Sequence, residues 1–293
     1  MAGKVLYIEA PDGISGDMTL GALIDLGVDV RDISNELDKI IPGEYSLVAR
    51  AFERSGIHGI NLDVIVRQGD GVRQGDGVRQ GDGSSVTLRV TEEPSPCLTP
   101  SPCLTPSPCL THGHRHYSDI KAMIEGSGIS QKAKTYALAI FDAIAEAEAA
   151  VHGISKEKVA FHEVGAMDSI IDIVGTAIAV DILGVSEFYC SAPRDGSGTI
   201  TCQHGLIPVP VPAVMKMAEG ANIPIVIDSK VSTEMITPTG FGIIKGLGAK
   251  FEPCFGILPE KTGYGFGKRD TGRFGAVRLT IGEKYEEEEQ KQA

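Results

Sequence analysis

The sequence predicts an α+β fold in which mixed β-sheets are covered by helices. Segments that alternate apolar and polar residues at 4–9, 45–52 and 60–66 have the two-residue period of half-buried strands. An apolar stripe at helical spacing predicts a long helix over residues 130–152. A nearly continuous apolar run over residues 170–183 predicts a helix that is buried on most sides. The mixture of such strands and helices along the chain is the basis for the α+β prediction.

Capping and turn residues mark where the predicted elements begin and end. Ser130 suits the N-cap of the long helix, and Gly153 follows its last residue. The segments 45–52 and 60–66 are expected to form a hairpin. In chain order, the other predicted elements are helices 19–26, 29–41 and 117–125, strand 187–192, a strand ending at 202, helix 214–219, strand 223–227, helix 237–247 and a strand near 276–281.

Two perfect repeats interrupt this pattern. VRQGDG occurs three times between residues 66 and 83, and SPCLT occurs three times between residues 95 and 111. Repeats so rich in glycine or proline cannot bury a core, so a disordered surface insert is expected. The predicted organisation is an N-terminal α/β segment at 1–65, the insert at 66–111, the main α+β region at 112–282 and an acidic disordered tail at 283–293.

Charge and cysteine usage exclude several classes of protein. The formal net charge of −12 argues against a nucleic-acid or anionic-membrane partner. The N-terminus has no apolar run long enough for a signal peptide or a membrane span, which predicts a cytoplasmic protein. The six cysteines contain no C-x-x-C pair, and three of them are copies of one repeat position. A reduced intracellular protein is therefore expected.

Histidines and carboxylates concentrate in two short segments. His112, His114 and His116 alternate, so in an extended chain their imidazoles face one side and suit nickel or zinc. The alternative is an exposed polar linker. The segment FHEVGAMDSIIDIVG contains His162 and Glu163, which point in different directions if the chain is extended.

The same segment contains two aspartates one helical turn apart. Asp168 is suited equally to a helix N-cap and to a metal ligand. Asp172 lies inside an apolar helix, where a carboxylate must be paired, hydrogen-bonded or bound to a cation. His204, in CQHG, is a further candidate ligand, although a lone histidine in such a place is usually structural.

Two glycine-bearing loops are candidate phosphate sites because each can present backbone N–H groups. The first, GISGD, begins at Gly13; the second, GYGFGKRD, has Lys268 and Arg269 nearby. Neither loop is a Walker A motif or a dinucleotide-binding fingerprint.

Together these segments resemble one family. GISGDM, HRHYSDI, FHEVGAMDSIIDIVG, CQHGLIPVPVPA, TPTG and GYGFGKRD occur here in the order they take in the nickel insertion proteins. The resemblance covers nearly the whole chain except the repeats and the tail. It implies a CTP-dependent cyclometallase of the lyase class, using Mg or Mn with the nucleotide. Such a protein binds Ni(II) and installs it in a pyridinium bis-thiocarboxylic acid mononucleotide through two sulfurs and a ring carbon.

The resemblance also implies roles for residues. Asp17 and Asp172 would support the chemistry as catalytic groups. The implied substrate-binding residues are Gly13, Ser15, Gly16, Gly265, Gly267, Lys268 and Arg269. The implied metal ligands are His112, His114, His116, His162, Glu163, Asp168 and His204.

Two departures from the family pattern affect the expected partners. Members of the family continue into a C-terminal domain associated with CTP binding and oligomerisation, so the nucleotide site is expected either to be missing or to lie on a separate C-terminal subunit. The insert replaces a shorter, often histidine-rich connection. Other expected partners are the enzyme that receives the cofactor and further copies of this chain. Two alternatives remain open. One is a nickel chaperone or store without turnover. The other is a phosphate-ester hydrolase that favours Mg or Mn and is built on GISGD and the pair Asp168 and Asp172.

Overall fold

The computed structural model describes residues 4–43, 45–68, 71–72, 115–161 and 164–285. The helices in these ranges are α1 Gly16–Asp25, α2 Val30–Leu37, α3 Tyr117–Gly126, α4 Gln131–His152, α5 Met167–Leu183, α6 Pro212–Ala218 and α7 Pro238–Gly246. The strands are β1 Lys4–Glu9, β2 Tyr45–Arg54, β3 Ile57–Gln68, β4 Gly71–Val72, β5 Arg115–His116, β6 Ala160–Phe161, β7 Glu187–Cys190, β8 Arg194–Asp195, β9 Thr199–Cys202, β10 Gly205–Pro208, β11 Val226–Ile227, β12 Lys250–Phe251, β13 Gly256–Phe266 and β14 Ala276–Tyr285.

A mixed sheet forms the centre of the fold. Its strand order is β12-β7-β1-β14-β13-β3-β2, and β4 adds to β3. β1 pairs in parallel with β7 and antiparallel with β14, while β2 and β3 form the predicted antiparallel hairpin. The α+β prediction is thus confirmed. Strands from before and after the repeats share this sheet.

The glycines of β13 allow α1 to lie unusually close to the sheet. A Cβ atom at Gly265 would lie 1.8 Å from the carbonyl oxygen of Met18, and one at Gly263 would lie 2.5 Å from that of Ala22. The prediction that GYGFGKRD is a loop throughout is therefore wrong, because its first four residues are the end of a strand. The glycines there serve backbone packing between strand and helix.

Helices α1 and α5 run in parallel through the core. A Cβ at Gly16 would meet the side chain of Asp172, and a Cβ at Gly175 would meet the side chain of Leu20. Both helices therefore advance in the same direction from one end of the molecule. The apolar side of α5 is fully buried, as predicted, with Ile170, Ile171 and eight further residues of the helix in the core.

Several predicted boundaries differ from the structure. α2 ends at Leu37, and beyond the cap residue Asp38 the N–H groups of Lys39 and Ile40 bond three residues back and tighten the chain into a turn. The predicted strand 223–227 is a strand only at β11, since Pro224 has no N–H for a ladder. β3 and β4 extend into the predicted insert, and β14 includes the first three residues of the predicted tail. Residues 73–114 and 286–293 lie outside the described residues. No helix within the described ranges is long and apolar enough to cross a membrane.

The N-cap of α4 gives a first test of the fold. The hydroxyl of Ser130 accepts a hydrogen bond of 3.0 Å from the N–H of Ala133 and donates one of 2.5 Å to Asp181. We expect Ser130→Ala to lower the free energy of unfolding by about 1 kcal/mol, measured by urea denaturation. Ser155→Ala is the control, because the Ser155 side chain makes no capping hydrogen bond at its own short helix. Equal losses in the two variants would contradict the assigned cap.

Candidate functional site

The loop between β1 and α1 is fixed against the segment that leads into α7. Gly13 has a φ of 93°, and a Cβ there would lie 2.2 Å from the carbonyl oxygen of Met235, so only glycine fits. The N–H of Ile14 donates to the Met235 carbonyl at 2.9 Å, and the N–H of Thr237 donates to the Ile14 carbonyl at 3.0 Å. These contacts bring the N-termini of α1 and α7 together.

Gly16 is the point at which three helices meet. A Cβ at this position would lie 2.6 Å from the Cβ of Asp172 on α5 and 2.8 Å from the Cγ2 of Thr239 on α7. The glycine therefore lets the carboxyl group of Asp172 approach the first turn of α1. Helix N-termini present unpaired N–H groups and a positive dipole end, which favour anionic groups.

Asp172 is the most perturbed carboxyl group of this region. Its Oδ1 atom is buried without a hydrogen-bond partner. Burial raises its pKa well above the ordinary value, the charges of Asp17 and Asp168 raise it further, and Lys268 opposes them. A carboxyl group in this state can hold a proton at a pH at which a surface aspartate is ionised.

Lys268 links Asp172 to two further carboxylates. Its Nζ lies 3.5 Å from Oδ2 of Asp17 and 3.2 Å from Oδ1 of Asp63. Burial lowers the pKa of Lys268, but the charges of Asp17, Asp63 and Asp172 outweigh this and raise it above its ordinary value. The amine is therefore a fixed positive charge. Asp17 is oriented in turn by the hydroxyl of Ser15 and by the N–H of Met18, the latter at 2.9 Å.

The loop between β13 and β14 is attached to the same face by arginines. Arg269 lies 3.2 Å from Glu234, which is buried. Arg273 contacts both Asp228, which is buried, and Asp12, the latter at 3.9 Å. These residues surround the start of the β1–α1 loop with alternating charges.

A second buried aspartate supports this arrangement. Asp195 is fully buried, and its Oδ1 accepts hydrogen bonds from the N–H groups of Gly196, Met235 and Ile236 at 2.8, 2.7 and 3.2 Å. Burial raises the pKa of Asp195, although these hydrogen bonds lower it. The carboxyl group thereby positions the segment that contacts Gly13.

The predicted site residues fall into four groups. Ser15, Gly16, Asp17, Asp172 and Lys268 are brought together, with Gly13 and Arg269 at the edge of the group. Gly265 instead packs against the backbone of α1, and Gly267 lies near the sulfur of Met18. His112, His114, His162 and Glu163 lie outside the described residues.

The remaining predicted metal ligands are exposed. His116 precedes α3, and its N–H donates to Asp119 at 3.3 Å. Asp168 is not the N-cap of α5, a position that Ala166 occupies. His204 is in the turn between β9 and β10, beside Cys202 and His152. In the described part of the chain, no three His, Cys, Asp or Glu side chains are arranged to hold a metal ion. The predicted ligand set stays a prediction.

Several charged residues around the β1–α1 loop and Lys268 were not selected from the sequence. They are Asp12, Asp63, Arg194, Asp195, Asp228, Glu234 and Arg273. Asp195 could have been identified from the sequence, because it is followed by glycine in RDGSG, shortly after a predicted strand. The others are ordinary charged residues of separate segments.

Comparisons with known proteins agree on one family. Residues 6–293 match the family described as nickel insertion protein. A pyridinium-3,5-bisthiocarboxylic acid mononucleotide nickel insertion protein of Acetivibrio thermocellus is 41% identical over 285 residues, which are 97% of this chain and 62% of that protein. The protein of the same name from Lactiplantibacillus plantarum is 42% identical over 294 residues, 96% of this chain and 62% of that protein. A putative nickel insertion protein of Gloeothece citriformis is 38% identical over 284 residues, with 97% and 62% covered. This chain thus spans about three-fifths of the length of these relatives. No solved structure matches it.

Proposed function

The chain belongs to the nickel insertion protein family, and on this basis we propose that it takes part in inserting nickel into pyridinium-3,5-bisthiocarboxylic acid mononucleotide. Nickel is then a substrate. The reaction joins it to two sulfurs and one ring carbon of the mononucleotide. Formation of the nickel–carbon bond breaks a ring C–H bond and releases one proton.

The observation that carries the proposal is the buried, unpaired Oδ1 of Asp172 beside the N-terminus of α1. The reaction needs a group that accepts the ring proton within a site shielded from water. Burial raises the pKa of Asp172, so its ionised form is a stronger base than a surface carboxylate. In this mechanism Asp172 takes the proton, and the charge of Lys268 stabilises the ionised carboxylate before the transfer.

The surrounding groups suit an anionic nucleotide. The first N–H groups of α1, at Gly16 and Asp17, provide a setting that favours a phosphate group. Lys268 and Arg269 would bind the same phosphate by exchanging their carboxylate partners for it.

Nickel delivery is assigned to imidazole and carboxylate ligands. His112, His114, His116, His162, Glu163, Asp168 and His204 are the proposed set. These donors bind nickel, and the softer sulfurs of the mononucleotide then capture it. CTP, with Mg or Mn, is the proposed co-substrate, and the proposed enzyme class is lyase. The proposed location is the cytoplasm. The proposed partners are a separate C-terminal subunit, further copies of this chain and an enzyme that receives the product.

The decisive experiment is an insertion assay with the purified full chain. We expect a product whose mass has increased by one nickel less the displaced protons, formed only when nickel, the thiolated mononucleotide and CTP are all present. A second arm adds a separate polypeptide that covers the remaining part of the longer relatives. Nickel binding without product in both arms would indicate a chaperone. Phosphate release that prefers Mn and yields no nickel product would indicate a hydrolase.

A further inference from the structure

A thiol and two imidazoles lie together at the C-terminal end of α4. The Sγ of Cys202 lies 3.8 Å from Nδ1 of His204. The ring of His204 lies 4.9 Å from the ring of His152, measured between centroids. Neither Cys202 nor His152 was selected from the sequence, because they lie 50 residues apart and share no motif.

These separations are close to those of donors that share one metal ion. With bonds of about 2.3 Å to sulfur and about 2.0 Å to nitrogen, as in zinc sites, a sulfur and a nitrogen on a tetrahedral metal stand about 3.6 Å apart. Two imidazole centroids on such a metal stand about 5 Å apart, by the same bond lengths. Cys202 and His204 already meet the first condition, and His204 and His152 nearly meet the second.

His152 must rotate to complete the site. The two imidazole planes are inclined by 35°, so the three donors do not yet surround one point. Exposed side chains change rotamer readily, and the ring of His152 is at the surface. A site completed by this small motion binds and releases its metal more easily than a rigid one.

Glu148 fixes the chemistry of the His152 ring. Its Oε2 lies 3.3 Å from Nε2 of His152, one helical turn away on α4. A carboxylate at one ring nitrogen favours the proton on that nitrogen and the lone pair on Nδ1, the atom that a metal ion would bind. Metal-binding histidines typically have such a carboxylate at the ring nitrogen that does not bind the metal.

From this geometry we propose that Cys202, His204 and His152 form a binding site through which the chain acquires a borderline divalent cation. The choice of nickel rests on the proposed function. The exposed position of His204 and His152 suits transfer of an ion rather than its permanent storage. Thiolate and imidazole donors match nickel, whereas Mg and Mn prefer oxygen ligands.

The test is a nickel titration of the full chain followed by calorimetry and by absorption spectroscopy. We expect a thiolate-to-nickel charge-transfer band in the wild type. Cys202→Ser should remove the band, and His204→Ala or His152→Ala should weaken binding at this site at least tenfold. Glu148→Gln should weaken it about tenfold, since it removes the group that orients His152.

Two matched variants serve as controls. Cys254→Ser removes an exposed thiol elsewhere in the chain, and His58→Ala removes an exposed histidine that lies 3.8 Å from a glutamate. Both should retain the band and the affinity. The proposal is overturned if the charge-transfer band persists in Cys202→Ser, because nickel would then be bound by other thiols. It is also overturned if only the His112/His114/His116→Ala variant loses nickel binding.

The two proposals can fail separately. If Cys202→Ser keeps the band but the wild type still forms the nickel product, the acquisition site is wrong and the insertion function stands. If Cys202→Ser loses the band and the wild type forms no product in any arm of the insertion assay, the insertion function alone is wrong.

Discussion

Asp172→Asn is expected to stabilise the protein at neutral pH and to lower the rate of nickel insertion by about 10²–10⁴-fold, the usual contribution of a positioned general base. Asparagine has nearly the shape of aspartic acid but cannot accept the ring proton. It also removes a carboxyl group whose ionisation is disfavoured by burial and by neighbouring carboxylates. A gain in stability joined to a loss of activity distinguishes a functional residue from a structural one.

The stability gain has a defined pH dependence. The pKa of Asp172 in the folded protein is above its value of about 3.9 in the unfolded chain. Between these two values the folded state retains a proton that the unfolded state has lost, so wild-type stability falls as pH rises. The asparagine variant lacks this dependence. Its advantage in Tm should therefore be small near pH 4 and grow toward pH 8.

An exposed carboxylate provides the control for this series. Asp32 lies in the first turn of α2, where a negative charge favours the helix, so Asp32→Asn should lower stability slightly, by at most about 1 kcal/mol. It should leave insertion unchanged. If Asp172→Asn is less stable than the wild type at pH 8, or retains full activity, the role given to Asp172 is wrong.

Gly265→Ala should have the largest effect on folding. Its Cβ would lie 1.8 Å from the Met18 carbonyl oxygen and 2.6 Å from the Ala22 nitrogen, and both are backbone atoms that cannot move aside. α1 would have to separate from β13 and take Asp17 with it. We expect a loss of about 3 kcal/mol or more, at the upper end of the range for overpacked cores, and mostly insoluble protein.

Soluble yield and urea denaturation measure this loss, with Gly126→Ala as the matched control. A Cβ at Gly126 would meet nothing within 4 Å, and the residue is at the exposed end of α3. Alanine there should be neutral or add about 0.4–1 kcal/mol, because it restricts the unfolded chain. A Gly265→Ala protein with wild-type stability would show that α1 and β13 do not pack as described.

Local pattern was enough to predict the helices but not β13. The helix at Gln131–His152 has a serine cap, an apolar stripe and a terminal glycine, and all three signals come from adjacent residues. β13 contains Pro259, Gly263 and Gly265, which usually indicate a loop. Its strand conformation depends on β14 beside it and α1 above it, and neither contact can be read from a short window.

The candidate site shows the same division. Asp172 was found because a carboxylate in an apolar helix is anomalous by itself. Its neighbour Asp63 was not identified, since it comes from a separate segment and is an ordinary charged residue in sequence. Lys268 was selected, but for its place beside a glycine-bearing loop and not for its contact with these carboxylates. Likewise, only the folded chain brings His152 next to His204. A residue that is unusual in its local sequence can be identified from the sequence, whereas its spatial partners depend on long-range topology.

The order of the central strands affects how the chain folds during synthesis. β1 pairs along its whole length with β14, so nearly the full chain separates the two partners. Without β14, the sheet falls into two unconnected parts, β12-β7-β1 and β13-β3-β2. The nascent chain therefore cannot complete its sheet until residue 285 has left the ribosome. Until then its apolar strands lack their partner strand and have exposed edges. We expect this protein to depend on chaperones that protect exposed strand edges during translation.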